Sequence, residues 1–269
     1  MTADPHPTAL PRRVGSDPVH TGRFTALDSL VRAELKLARR EPAAVIFGIG
    51  LPVLLLVIFG SVPSLKQPQD ALGGQTVLSV YQPIIIAMSL AVFAFVGVPI
   101  PLAAYREQGV LRRMAATPVP PSRVLAAHLI VDFGCSVLSV ALVLGIGRAA
   151  FHLGLPRQAA GFGLCFVLAV AALFAMGLWI GAVARTGKAA QAIGGALFYP
   201  MNFLAGLWFP RQEMPPLLRT FSDYSPLGAA VQALQDTIDG TFPAVRFLLV
   251  MVGYAAAFGY LAVRQFAWE

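Results

Sequence analysis

Tyr105–Arg123 reads YREQGVLRRMAATPVPPSR. Arg106, Arg112, Arg113 and Arg123 stand there beside a single acid, Glu107. Upstream, Ala71–Tyr105 carries no charged residue, and downstream Val124–Gly147 carries only Asp132. A short basic link between two apolar runs, each able to cross a bilayer core of ~30 Å, is a cytoplasmic loop between two membrane spans. Within the link, Glu107–Met114 can form a short helix. Glu107 then lies near its N-terminus and Arg112 and Arg113 near its C-terminus, an order that suits the helix dipole. Pro118, Pro120 and Pro121 stop that helix, and Ser122 can cap the next one. A stiff charged helix between two spans suits docking on another protein. The alternative is a solvated loop whose arginines only set topology.

Composition agrees with the membrane reading. The 269 residues are 57% hydrophobic and 12% charged, against about 25% charged in ordinary soluble domains. Such a chain has too little polar surface to cover its apolar surface in water, so lipid is its solvent. The net charge of +7 is concentrated beside the apolar runs. It does not call for nucleic acid, because no RNA- or DNA-binding module is legible. Cys135 and Cys165 both fall inside apolar runs, which favours membrane-buried thiols over a disulfide or a metal site.

Taken in order, the chain is expected to be all-α with six spans. Residues 1–23 are polar and Pro-rich and read as a disordered cytoplasmic tail, with no signal-peptide core. Residues 24–41 read as an amphipathic helix. Phe24, Leu27, Val31, Leu35 and Ala38 fall on one face and Asp28, Arg32, Lys36 and Arg39 on the other. Such a helix lies along the cytoplasmic membrane surface or is a plain surface helix. The membrane domain occupies 42–269, with spans near 43–62, 76–104, 124–147, 159–184, 189–209 and 242–263. The second is longer than a span needs, and Pro83, Pro99 and Pro101 make a kink in it the expected outcome. Gly177 and Gly181 stand at GxxxG spacing, while Gly194, Gly195 and Gly206 permit close helix approach. The outer segment 210–240 mixes prolines with apolar stretches and is expected to form a re-entrant or interfacial helical hairpin. Fourteen of the 20 Lys and Arg residues fall in the segments this scheme places inside, so both termini are expected in the cytoplasm.

No catalytic constellation is legible. No HExxH or GxSxG motif occurs. Gly181–Ala189, GAVARTGKA, imitates a phosphate loop but has five residues between its glycines and Ala189 where a magnesium-binding hydroxyl belongs. Asp132 is the one acid inside a span and stands four residues after His128. It is either a paired structural acid or a polar spot in a substrate path or proton relay.

Two motifs carry a family resemblance. Glu107, Gly109, Leu111, Arg113 and Pro118 form a Glu-x-Gly-x-Leu-x-Arg pattern followed by proline, between the second and third spans. Gly206–Leu227, GLWFPRQEMPPLLRTFSDYSPL, follows the fifth. Together they resemble the permease subunits of type-2 ATP-binding-cassette (ABC) exporters, including those of daunorubicin-resistance-type drug pumps, over roughly residues 24–266. The resemblance implies a permease in the inner cell membrane that works as a dimer with a second copy of itself. Two copies of a cytoplasmic ABC ATPase would drive it, holding ATP and magnesium that this chain itself does not bind. It further implies that Glu107, Gly109, Leu111, Arg112, Arg113 and Pro118 meet the ATPase, and that the 24–41 helix connects permease to ATPase. The cargo expected is hydrophobic or amphiphilic, such as a drug, antibiotic or lipid. Tyr199, Asn202 and Trp208, with Asp132, are candidates for its path. The competing readings are export of polysaccharide or glycolipid, and an ion-gradient-driven secondary transporter, which would want more intramembrane ionisable groups.

Overall fold

The computed structural model describes residues 31–32, 45–69, 72, 74–109, 121–209 and 211–265. Every regular element among them is a helix. Besides 3-10 turns at Pro63–Lys66 and Arg211–Glu213, these are in chain order α1 (Ile46–Ser61), α2 (Val77–Glu107), α3 (Pro121–Phe151), α4 (Ala159–Val183), α5 (Gly187–Leu204), α6 (Pro216–Tyr224), α7 (Pro226–Asp239) and α8 (Val245–Gln265). Among the described residues, α2, α3, α4 and α8 are long and apolar enough to cross a membrane. The described part of α1 is shorter. The eighteen residues of α5 include Lys188, Gln191 and Asn202, and it falls short of the apolarity of those four.

The helix before the basic loop, α2, is the core. Of its most apolar stretch 89% is buried, against 28% in α3 and 17% in α8. The Thr76 side chain starts it by accepting the Ser79 N–H at 3.1 Å. Its first half packs against α1, α3 and α7, and its last part against α4 and α5. α8 runs along α4, and α7 fits against both. α3 packs mainly on α1 and α2 and meets α4 through the Phe133 and Phe166 rings, 5.8 Å apart, which leaves most of its surface unburied.

Sequence predicts a kink in α2 at its prolines, and the structure places the irregularity just before two of them. Phe93–Gly97 is a π-helical turn in which Val98 N–H reaches back to Phe93 O at 2.8 Å. That bond diverts the donor Ala94 O would otherwise accept. Pro99 has no N–H to give Phe95 O, and Pro101 has none for Gly97 O. Three carbonyls of one turn are thus released from the regular ladder, and each faces a different helix. Ala94 O lies against Gly177 of α4, and Phe95 O against Gly194 of α5. In both places the first carbon of any side chain would overlap the oxygen. Gly97 O is met by His128 Nε2 of α3 at 3.1 Å. On the fourth side, the Phe93 ring of the same turn fills the space a side chain on Gly48 of the α1 segment would need. Buried backbone acceptors seek partners; here the glycines bring Cα–H groups up to them and the histidine brings an N–H.

Two of the expected glycine roles change. Gly195 faces open space, and Gly206 ends α5 in a turn with φ of 96°. The 210–240 segment holds two helices, α6 and α7, meeting at Ser225. Ser225 Oγ donates to Ser222 O at 2.9 Å and accepts the Gly228 N–H at 3.0 Å. Gly228 abuts Ser222 O so closely that no side chain fits. Ten of the fourteen residues of α7 are buried.

Candidate functional site

The basic segment leaves α2 through Arg106 and Glu107, and these two residues join three helices. Arg106 Nη1 donates to Gly181 O at 3.2 Å, Ala182 O at 2.7 Å and Ala184 O at 3.5 Å, the carbonyls that close α4. Glu107 Oε2 accepts the N–H of Gly187, the first residue of α5, at 3.0 Å. Thr186 caps the same helix by accepting the Ala189 N–H at 3.1 Å. A helix ends in carbonyls without donors and starts in N–H groups without acceptors. One dipeptide therefore sets a cation on the negative end of α4 and an anion on the positive end of α5, the favourable sign at both. The Gly181–Ala189 stretch is used as this helix-to-helix turn.

This corrects the reading of Glu107 as the start of a short loop helix. It is the last residue of α2, followed by Gln108 as C-cap and by Gly109 at φ of 65°. Among the described residues, nothing stands within 4 Å of a side chain built on Gly109. Its glycine serves the left-handed backbone that ends the helix rather than a close approach. Leu111, Arg112, Arg113 and Pro118 lie outside the described residues, as do Asp28, Lys36 and Arg39 of the interface helix. Arg32 is helical and exposed.

At the opposite end of α5, Tyr199, Pro200, Phe203, Trp208 and Phe209 line an open, wholly apolar recess of about 380 Å³. Phe203 holds Trp208 and Phe209 beside it, with ring centroids 6.4 and 6.2 Å away. Nearby in the chain, Leu217, Phe221 and Tyr224 make a second exposed apolar stripe at helical spacing along α6, each more than 60% accessible. α6 is anchored from behind by the bidentate pair of Arg211 and Asp223, at 2.8 and 2.7 Å.

The four residues expected along a path separate into three places. Tyr199 and Trp208 share the recess. Asn202 is buried, with Nδ2 on Phe198 O at 2.9 Å. Asp132 is buried between α3 and the π-turn of α2. There its Oδ2 lies 3.4 Å from His128 Nε2 and would be 3.1 Å from a side-chain carbon at Gly97. The i, i+4 pairing of His128 with Asp132 thus forms, and the same imidazole reaches Gly97 O. Sequence reasoning missed the Arg106 and Glu107 caps, whose signal was an adjacent cation and anion at a helix end. Their receiving turn is some eighty residues away.

A family model described as ABC-2 type transporter matches residues 25–238. The chain is also 22% identical over 236 residues to YvfS of Bacillus subtilis (strain 168), whose description is that of a transport permease. The aligned part covers 86% of this chain and 92% of that protein.

Proposed function

The chain belongs to the ABC-2 type transporter family, and on that premise we propose that it is the permease of an ATP-driven exporter worked by a separate ATPase subunit. The observation that carries this reading is the double cap at the foot of α2. The segment 107–118 leaves from Arg106 and Glu107, and those residues hold the end of α4 and the start of α5. A push delivered to that segment by a partner reaches three helices at once. Glu107, Gly109, Leu111, Arg112, Arg113 and Pro118 form the surface offered to the ATPase, on the cytoplasmic side.

The permease has six spans with both termini inside, α1 and α5 completing the four longest helices, and 210–240 dips back from the outer side. Two copies pair, with two ATPases, and the second copy covers the exposed aromatic face of α5 and α6. The apolar recess at Tyr199 and Trp208 supports a hydrophobic or amphiphilic cargo moved outward across the cell membrane.

Glu107 provides the test, by co-purification of the chain with the ATPase it captures and by ATP hydrolysis of the complex. Glu107→Gln keeps an acceptor for the Gly187 N–H but removes the charge; Glu107→Lys removes both. If Glu107 meets a basic group of the ATPase, both variants weaken association, Lys more, since it adds repulsion. Loss of one partner of a desolvated charged contact costs about 2–5 kcal/mol. Wild-type association and hydrolysis in both variants would confine Glu107 to capping α5.

A further inference from the structure

We propose that the π-turn at Phe93–Gly97 is the hinge of α2, and that His128 is a positioning residue that sets its angle and so aims the coupling segment. The proposal rests on the permease reading for its consequence but on independent geometry for its existence. Pro101 leaves Gly97 O without the N–H that a continuous helix would supply. His128 Nε2 stands 3.1 Å from that oxygen and 3.4 Å from Asp132 Oδ2, so the ring N–H is directed into the gap between α2 and α3. His128 is 12% accessible and Asp132 9%. Asp132 in turn packs on Gly97, where a side-chain carbon would stand 3.1 Å from its Oδ2.

The other sides of the turn are rigid. Gly177 and Gly194 are pressed on Ala94 O and Phe95 O, backbone against backbone, and cannot slide without opening the core. The contact to α3 is the soft one, made by the side chains of His128 and Asp132 on a helix that packs mainly on α1 and α2 and meets α4 through Phe133 and Phe166. The two helices flanking the coupling segment are α2 and α3, so the angle between them fixes where that segment is presented. Glu107 lies ten residues beyond Gly97, or ~15 Å along the helix. A rotation of about 10° at the turn then moves the foot of α2 by about 3 Å, a usual size for helix shifts in switching proteins. The Arg106 and Glu107 caps carry the feet of α4 and α5 along.

Spin labels at Lys188 and Ser122, both exposed, report this movement as a distance between the α2–α5 body and α3. His128→Gln keeps an N–H donor of similar reach. His128→Phe keeps the ring and loses the donor. Adding Pro101→Ala to His128→Phe restores a donor for Gly97 O from within α2, and straightens it. In the chain without nucleotide, Gln should keep the wild-type distance and Phe should shift or broaden it by about 3 Å. The double variant should regain thermal stability without regaining the distance. In the complex with its ATPase, ATP should change the distance in wild type and in Gln. In Phe and in the double variant ATP should be hydrolysed without that change.

A wild-type distance in His128→Phe overturns the proposal. So does a double variant that recovers both distance and ATP response, because His128 would then only satisfy a buried carbonyl. Failure to capture any ATPase would count against the permease reading and leave the nucleotide-free comparison decisive for the hinge.

Discussion

Asp236 shows how one side chain is pulled in opposite directions. It sits near the end of α7 and its Oδ2 accepts the Ala244 N–H at 3.1 Å, closing the turn into α8. Burial raises its pKa most, the Ala244 hydrogen bond lowers it, Asp239 raises it, and Arg246 and Arg211 lower it; the net direction is upward. The folded protein therefore holds the Asp236 proton more tightly than the unfolded chain does. Its contribution to stability is present in acid and is lost as pH rises from the ordinary 3.8 through the raised value. Asp236→Asn removes the cost of ionisation and keeps an oxygen for Ala244. It should melt higher than wild type at neutral pH, and the gap should close in acid below the ordinary carboxylate value. A lower melting point at neutral pH would mean that the amide does not hold the turn.

The π-turn of α2 explains why α4 and α5 meet it through glycine. Gly177 and Gly194 touch carbonyl oxygens that cannot rotate away, whereas Gly195, one residue on, faces open space. Substitution at these positions should therefore separate sharply. Gly194→Leu forces α5 off the core, and overpacking of this kind costs about 1–3 kcal/mol or more. Gly195→Leu adds side chain where there is room and should cost little. Yield of monodisperse protein in detergent, followed by its thermal midpoint, decides the matter; equal values for the two variants would remove the close approach from the account. Ser225 makes the same point at a helix start: its hydroxyl bonds Gly228 N–H, and caps of this type contribute ~1 kcal/mol.

For the molecule as a whole, charge and burial together argue for one orientation. Arg106, Arg123, Arg185, Lys188 and Arg264 all fall at the end of the bundle where α2, α4 and α8 finish and α3 and α5 begin. The positive-inside bias is the ground on which we propose that this end faces the cytoplasm. Ser122 is exposed at it, and Gln212 is exposed at the other. In a background with Cys135 and Cys165 replaced by alanine, Ser122→Cys should react with a membrane-impermeant thiol reagent only in opened cells. Gln212→Cys should react in intact ones. Labelling of both from one side would overturn the six-span arrangement.

Helix content and the approximate ends of the four long apolar helices were legible because they depend on local quantities: runs without charge and the position of proline. The i, i+4 pairing of His128 with Asp132 was legible for the same reason. Local pattern could not show that Glu107 ends α2 instead of starting a loop helix, since the left-handed Gly109 that stops the helix is set by the turn as a whole. Nor could it show which glycines matter. Gly194 and Gly195 are the same residue in the same apolar run, and only the position of Phe95 O tells them apart. Asn202 and Tyr199 are three residues apart on α5, yet one is buried and the other is 64% exposed. That division was decided by where α2 lies, because a helix has no inside until a neighbour covers one of its faces.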